Sequence, residues 1–288
     1  MFSGCITALV TPFKKGQVDY KKLLELIDFQ IENDVSGLVL CGTTGEGATL
    51  TDTEKEKIFR ISIKHCRKRI ILIAGTGTND TAKTIKLTRM AESTGMDSAL
   101  VVTPYYNKPT QEGLYLHYRA VSNKVKFPII VYNVPGRTGV SITPETVARL
   151  ATIKNIVAIK DASGDLDYVS RLKKLSSITV LSGEDALTFP MLCLGGKGVI
   201  SVVSNIAPKD VVKMIDAFNN GQLEIAREYH FKLLPLIKTL FIESNPIPVK
   251  TAMKILGKSN GEMRLPLCAM GKENTKKLIT ILRDYKLC

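Results

Sequence analysis

Eight short apolar runs, separated by longer segments of helical periodicity, constrain this chain more than any other feature. They fall at 5–10 (CITALV), 37–41 (GLVLC), 70–74 (IILIA), 98–103 (SALVVT), 128–132 (PIIVY), 156–160 (IVAIK), 178–182 (ITVLS) and 198–201 (GVIS). Each is nearly continuous in apolar residues rather than alternating, which is the pattern of parallel strands covered on both faces. The segments between them read as helices. Tyr20, Leu23, Leu24, Ile27 and Ile31 follow the spacing of one helix face. Thr51 with Glu54 is a capping box, Thr143-Pro144 starts another helix, and Gly95 closes a third. Eight such units within 1–221 predict an α/β fold, a (β/α)8 TIM barrel. Residues 222–288 then form a C-terminal helical extension, with Ala226, Tyr229, His230, Leu233 and Ile237 on one face of its first helix. An open Rossmann-like sheet is the alternative, but it requires a nucleotide fingerprint.

No such fingerprint is present. Gly42-Thr43-Thr44-Gly45-Glu46-Gly47 has the outer glycines of a P-loop, yet Ala48 and Thr49 stand where Lys and Ser/Thr are needed. Gly75-Thr76-Gly77-Thr78-Asn79-Asp80 lacks the third glycine of the dinucleotide motif. The glycines could simply permit tight turns. The favoured reading is that Thr43 and Thr44 expose backbone N–H groups near a helix N-terminus, on the face where barrel enzymes keep their sites, and hold a carboxylate.

Composition removes several other classes. Apolar residues make up 44% of the chain, enough for a core and too many for a disordered protein. The net charge of +13 raises nucleic acid as a partner, but the cations are scattered and there is no Trp. The densest cluster, Lys64, Arg67, Lys68 and Arg69, sits at the end of a helix, where cations complement the dipole. Neither Cys5, Cys41, Cys66, Cys193, Cys268 and Cys288 nor His65, His117 and His230 have metal or redox spacing. The N-terminus has no charged n-region, and no apolar run approaches the ~20 residues of a membrane span. A cytoplasmic, reduced, soluble protein is expected, with no nucleic acid, no membrane and no metal.

Lys160 ends the run Ile156–Ile159 and precedes Asp161. At the end of a buried parallel strand, desolvation lowers the pKa of an ammonium group from ~10.4 and makes a nucleophilic amine available. Such an amine can form a Schiff base with a ketone. The residues alone leave this open against a lysine that snorkels to the surface or pairs with Asp161. Tyr132 ends the fifth run and Tyr105-Tyr106 follow the fourth, offering hydroxyls for proton transfer, and Arg137 offers a planar fork to a carboxylate.

Together, Gly42–Glu46, Tyr105-Tyr106-Asn107, Tyr132–Thr138, Ile159-Lys160-Asp161, Ser182–Asp185, Gly198–Ser201 and Asn245–Lys250 resemble the pyruvate-dependent class I aldolases, in order and over the whole chain. The likeness is to the branch that condenses pyruvate with L-aspartate 4-semialdehyde on the way to diaminopimelate and lysine. The resemblance implies a lyase in which Lys160 forms the Schiff base. It implies that Tyr132 relays protons with Thr43 and with Tyr106, the last supplied by a neighbouring subunit. Thr44, Gly183 and Ile200 would hold the pyruvate carboxylate, and Arg137 that of the semialdehyde. It implies no cofactor and a homotetramer built as a dimer of dimers. The alternative is another aldolase on the same scaffold, a sialic-acid or 2-keto-3-deoxy sugar acid lyase. In lysine-inhibited members an effector pocket uses histidines and a glutamate where this chain has Asp52, Lys55 and Lys83, although Asn79 and Tyr105 are retained. Weak or absent inhibition by lysine is therefore expected.

Overall fold

A computed structural model describes residues 2–288. Strands β1 (Gly4–Ala8), β4 (Gly37–Leu40), β5 (Ile71–Gly75), β6 (Ser98–Val102), β7 (Ile129–Asn133), β8 (Ile156–Asp161), β9 (Thr179–Ser182) and β10 (Gly198–Ser201) form a closed barrel. A short hairpin, β2 (Phe13–Lys14) with β3 (Gln17–Val18), interrupts the first connection. All barrel pairs are parallel, and β1 closes the ring by pairing with both β10 and β4. The architecture is the expected TIM barrel, with each strand within two residues of its predicted limits. The hairpin is an addition; strands of two residues are too short to show a period.

The sheet separates two apolar regions. Inside the barrel lie Ile6, Val39, Ile73, Leu100, Ile130, Ala158, Leu181 and Ile200, with Tyr132 among them. Outside it, alternate strand residues such as Leu38, Leu72, Val131 and Ile159 pack under the helices. Burial on both faces is why the strands read as unbroken apolar runs.

The helix signals form as local chemistry dictates. Thr51 and Glu54 make both bonds of a capping box, Thr143 caps the helix beginning at Pro144, and Gly95 takes φ +91° at its C-cap. The first helix, Tyr20–Ile31, buries Leu23, Leu26, Ile27 and Gln30, so its inner face is rotated from the expected one, and Tyr20, Leu24 and Ile31 lie at its margin. Gln30 turns inward because its amide is satisfied there: it accepts from the Thr7 hydroxyl at 2.7 Å and donates to the Ser204 carbonyl at 3.0 Å.

After the last barrel helix, Pro208–Asn219, come Leu223–Thr239, Ile247–Ile255 and Lys272–Asp284. The extension is anchored by charge as well as packing. Lys250 is fully buried, forms an ion pair with buried Glu46, donates to the Thr11 carbonyl at 2.8 Å and lies 4.4 Å from the Phe13 ring centroid. Burial lowers the Lys250 pKa, and the Glu46 charge opposes that shift. Arg264 donates to both Glu54 oxygens, and these hydrogen bonds hold the Glu54 carboxyl at about 2.

Two stability measurements test this anchoring. Lys250→Met strands the Glu46 charge and is expected to cost about 3–5 kcal/mol in denaturant unfolding, with part recovered on adding Glu46→Leu. The Glu54 pKa is lower folded than unfolded, so its contribution is present above the ordinary 4.5 and lost as pH falls toward 2. The stability gap between wild type and Arg264→Met is therefore expected to narrow over that interval.

Candidate active site

Parallel strands bring all their C-terminal ends to one rim, so residues far apart in sequence converge there. The rim carries the loop holding Thr43 and Thr44 after β4, and Tyr105-Tyr106 after β6. Arg137 follows β7, Gly183 follows β9, and Lys160 and Ile200 lie in β8 and β10.

Lys160 and Tyr132 are side-by-side register partners across β8 and β7, and Leu181 of β9 flanks Lys160 on the other side. Both side chains are buried, at 6% and 7% exposure, and the Lys160 amine lies 4.3 Å from the centroid of the Tyr132 ring. No carboxylate reaches that amine among the described residues. Asp161 is on the opposite face of the strand, where it accepts from Asn133 at 2.9 Å and from Ser163 at 2.7 Å. Desolvation raises its pKa against these hydrogen bonds. The pairing of Lys160 with Asp161 and the snorkelling geometry are both overturned: a strand alternates its side chains, and Lys160 takes the inner face.

The glycine loop differs from its sequence reading. It is a run of turns, and the following helix begins only at Asp52, with its first donors already met by the Thr51 capping box. Thr43 and Thr44 are therefore not at a helix N-terminus. Thr43 is exposed, whereas Thr44 is 3% exposed and accepts from the Asn245 side-chain amide at 2.9 Å. A Cβ on Gly47 would fall 2.1 Å from the Cys41 carbonyl, so the loop folds back on itself too closely for any other residue.

Two further loops are set by the same strands. Gly183 N–H donates to the Asp161 carbonyl at 2.6 Å, and a Cβ there would meet that oxygen at 2.9 Å. Asp185 is buried and accepts from the N–H groups of Val202 and Val203 at 2.9 and 3.0 Å, which fixes the chain just beyond Ile200. The exposed Arg137 donates to the Asn245 carbonyl at 3.0 Å. Tyr106 stands apart. It is 89% exposed, at φ +74°, on the outside of the single chain rather than beside Lys160. Sequence patterning gave no role to Asn245 or Asp185; neither lies on a periodic face, and Asn245 meets Thr44 across 201 positions.

The family model described as "Dihydrodipicolinate synthetase family" matches residues 1–285. The chain belongs to this dihydrodipicolinate synthetase family. A relative from Geotalea uraniireducens (strain Rf4), named 4-hydroxy-tetrahydrodipicolinate synthase, is 54% identical over the full length of both chains. The crystal structure of dihydrodipicolinate synthase from Aquifex aeolicus is 49% identical, covers 99% of each chain and superposes with a TM-score of 0.98. A structure described as the first monomeric dihydrodipicolinate synthase variant, at 47% identity, covers 100% of this chain and 98% of its own, also with a TM-score of 0.98. Membership makes the chain a lyase of the dihydrodipicolinate synthetase family.

Asp52 and Lys55 lie on the helix Asp52–Cys66, and Lys83 on the helix Thr81–Thr94. Asp52 is engaged by Lys86 at 2.8 Å, and that hydrogen bond lowers its pKa. Lys55 is buried, and desolvation lowers its pKa, with the nearby Lys83 charge acting in the same direction. Two lysines here oppose an incoming ammonium group. Turnover is expected to persist through sub-millimolar lysine, and half-inhibition in that range would contradict the assignment.

Proposed function

We propose that the chain condenses pyruvate with L-aspartate 4-semialdehyde as a 4-hydroxy-tetrahydrodipicolinate synthase, in the diaminopimelate and lysine route. The observation that carries the chemistry is the buried, unpaired Lys160 amine beside the Tyr132 ring. A buried amine with no carboxylate partner is placed to add to a carbonyl carbon. Lys160 Nζ attacks the ketone carbon of pyruvate, and water leaves as the imine forms. Tyr132 passes protons to and from the oxygen, in a relay with Thr43 and with Tyr106. Loss of a methyl proton gives the enamine, whose carbon bonds to the aldehyde of the second substrate. That substrate's own amine then displaces Lys160 and closes the ring, which returns the free enzyme.

Specificity in this reading comes from two carboxylate sites. Thr44, Gly183 and Ile200 hold the pyruvate carboxylate, and the Arg137 fork takes the carboxylate of the semialdehyde. A sialic-acid or 2-keto-3-deoxy sugar acid lyase has less use for a cation at that place, and the similar full-length relatives bear the synthase name. The exposure of Tyr106 supports its entering a second subunit's site, in a homotetramer built as a dimer of dimers. No helix among the described residues is long and apolar enough to cross a membrane, which accords with a cytoplasmic enzyme.

Borohydride reduction in the presence of pyruvate, followed by peptide mass mapping, is expected to place the adduct on Lys160 and to give none with Lys160→Ala. Turnover is expected with aspartate semialdehyde and not with sialic acid or 2-keto-3-deoxygluconate.

A further inference from the structure

Thr44 sits in a loop whose backbone is held at several points. The Thr11 hydroxyl donates to the Gly45 carbonyl at 2.6 Å, and Gly47 N–H donates to the Gly42 carbonyl at 3.0 Å. Glu46 is held at φ +52° while one carboxylate oxygen takes Lys250 and the other takes the Arg264 N–H at 3.0 Å. With the backbone fixed and the side chain buried against Asn245, the hydroxyl proton keeps its rotation about the Cβ–Oγ1 bond.

A hydroxyl has one proton to donate and two lone pairs to accept with. Asn245 Nδ2 donates to Thr44 Oγ1 at 2.9 Å, which occupies one of the two lone pairs and turns the hydroxyl proton away from that amide. Thr44 donates its own proton to no group among the described residues, although the side chain is buried. Asn245 is itself 6% exposed, with its Oδ1 buried and unpartnered, and its carbonyl holds Arg137 at 3.0 Å. One residue of the C-terminal extension therefore touches both carboxylate-binding groups of the proposed reaction, one through its side chain and one through its backbone.

We propose that Asn245 is a positioning residue for pyruvate: its amide holds one lone pair of Thr44 Oγ1 and so turns the Thr44 proton away from itself and toward the bound carboxylate. This rests on the Schiff-base reading above. Without that donor the hydroxyl is free to turn its proton away from the ligand. A charge-assisted bond to a carboxylate gains from having its donor already aimed. Because Arg137 is bound by the backbone carbonyl, substitutions of the Asn245 side chain leave that second contact in place.

The test compares Asn245→Ala and Asn245→Asp with wild type in the full-length enzyme. Three quantities are read: KM for each substrate, the pyruvate concentration giving half-maximal borohydride-trapped adduct, and the thermal midpoint. Asn245→Ala is expected to raise the pyruvate KM and half-trapping concentration about tenfold, the loss of one such bond, with the semialdehyde KM within about twofold. Asn245→Asp, nearly the same shape, can only accept; it captures the Thr44 proton and is expected to raise both pyruvate values further. It also carries the test if the alanine variant does not fold. Unchanged pyruvate values in Asn245→Asp overturn the proposal. So does a parallel rise in both KM values with a lowered thermal midpoint, which marks a purely structural residue. A wild-type enzyme that traps no pyruvate at Lys160 overturns the Schiff-base reading itself, and this proposal with it.

Discussion

The register between β7 and β8 governs the site. It sets Tyr132 beside Lys160 and Asn133 beside Asp161. Because side chains alternate across a strand, the first pair faces the barrel interior and the second faces the helices. A slip of one residue would exchange them, placing a carboxylate inside and the amine in the outer core. The whole separation of the Lys160 amine from the neighbouring Asp161 carboxylate rests on this alignment. Apolar residues, among them Leu181 beside Lys160, make up the buried interior on that face of the sheet.

The second constraint joins the ends of the chain. A buried lysine and glutamate together are costly to desolvate, and hydrophobic residues of similar size would often serve stability as well. The Lys250–Glu46 pair lies where the C-terminal extension meets the loop carrying Thr44, at positions 204 residues apart. Its geometry has a consequence that apolar packing would not: two carboxylate oxygens with fixed donors define the loop's orientation as well as its place. Asn245 extends the same contact to Thr44 and Arg137. The extension is thus part of the rim in the physical sense, since the loop conformation depends on it.

Much of this was legible beforehand, for identifiable reasons. Strands buried on both faces announce themselves as apolar runs, and helix caps are local hydrogen-bond chemistry that a few adjacent residues determine. Lys160, Tyr132, Thr44 and Arg137 could be singled out because a parallel barrel carries its strand ends to one rim, whereas Gly183 was marked only by the family resemblance. Where local reasoning went astray, a distant partner was responsible. Gln30 turns inward for Thr7 and Ser204, against the simple apolar pattern of its helix. The turn-rich path from Gly42 to Leu50 postpones the helix that Thr43 and Thr44 were expected to begin.

The amino-acid sequence by itself determined the alternation of strands and helices, the barrel that follows from it, and which residue types stand at the rim. These depend on periodicity and on neighbours a few positions away. The tertiary structure alone decided which way Lys160 points, that Asp161 is turned from it, and that Asn245 reaches Thr44. Those outcomes depend on register, burial and hydrogen bonds between segments far apart in the chain, where no local pattern constrains the pairing.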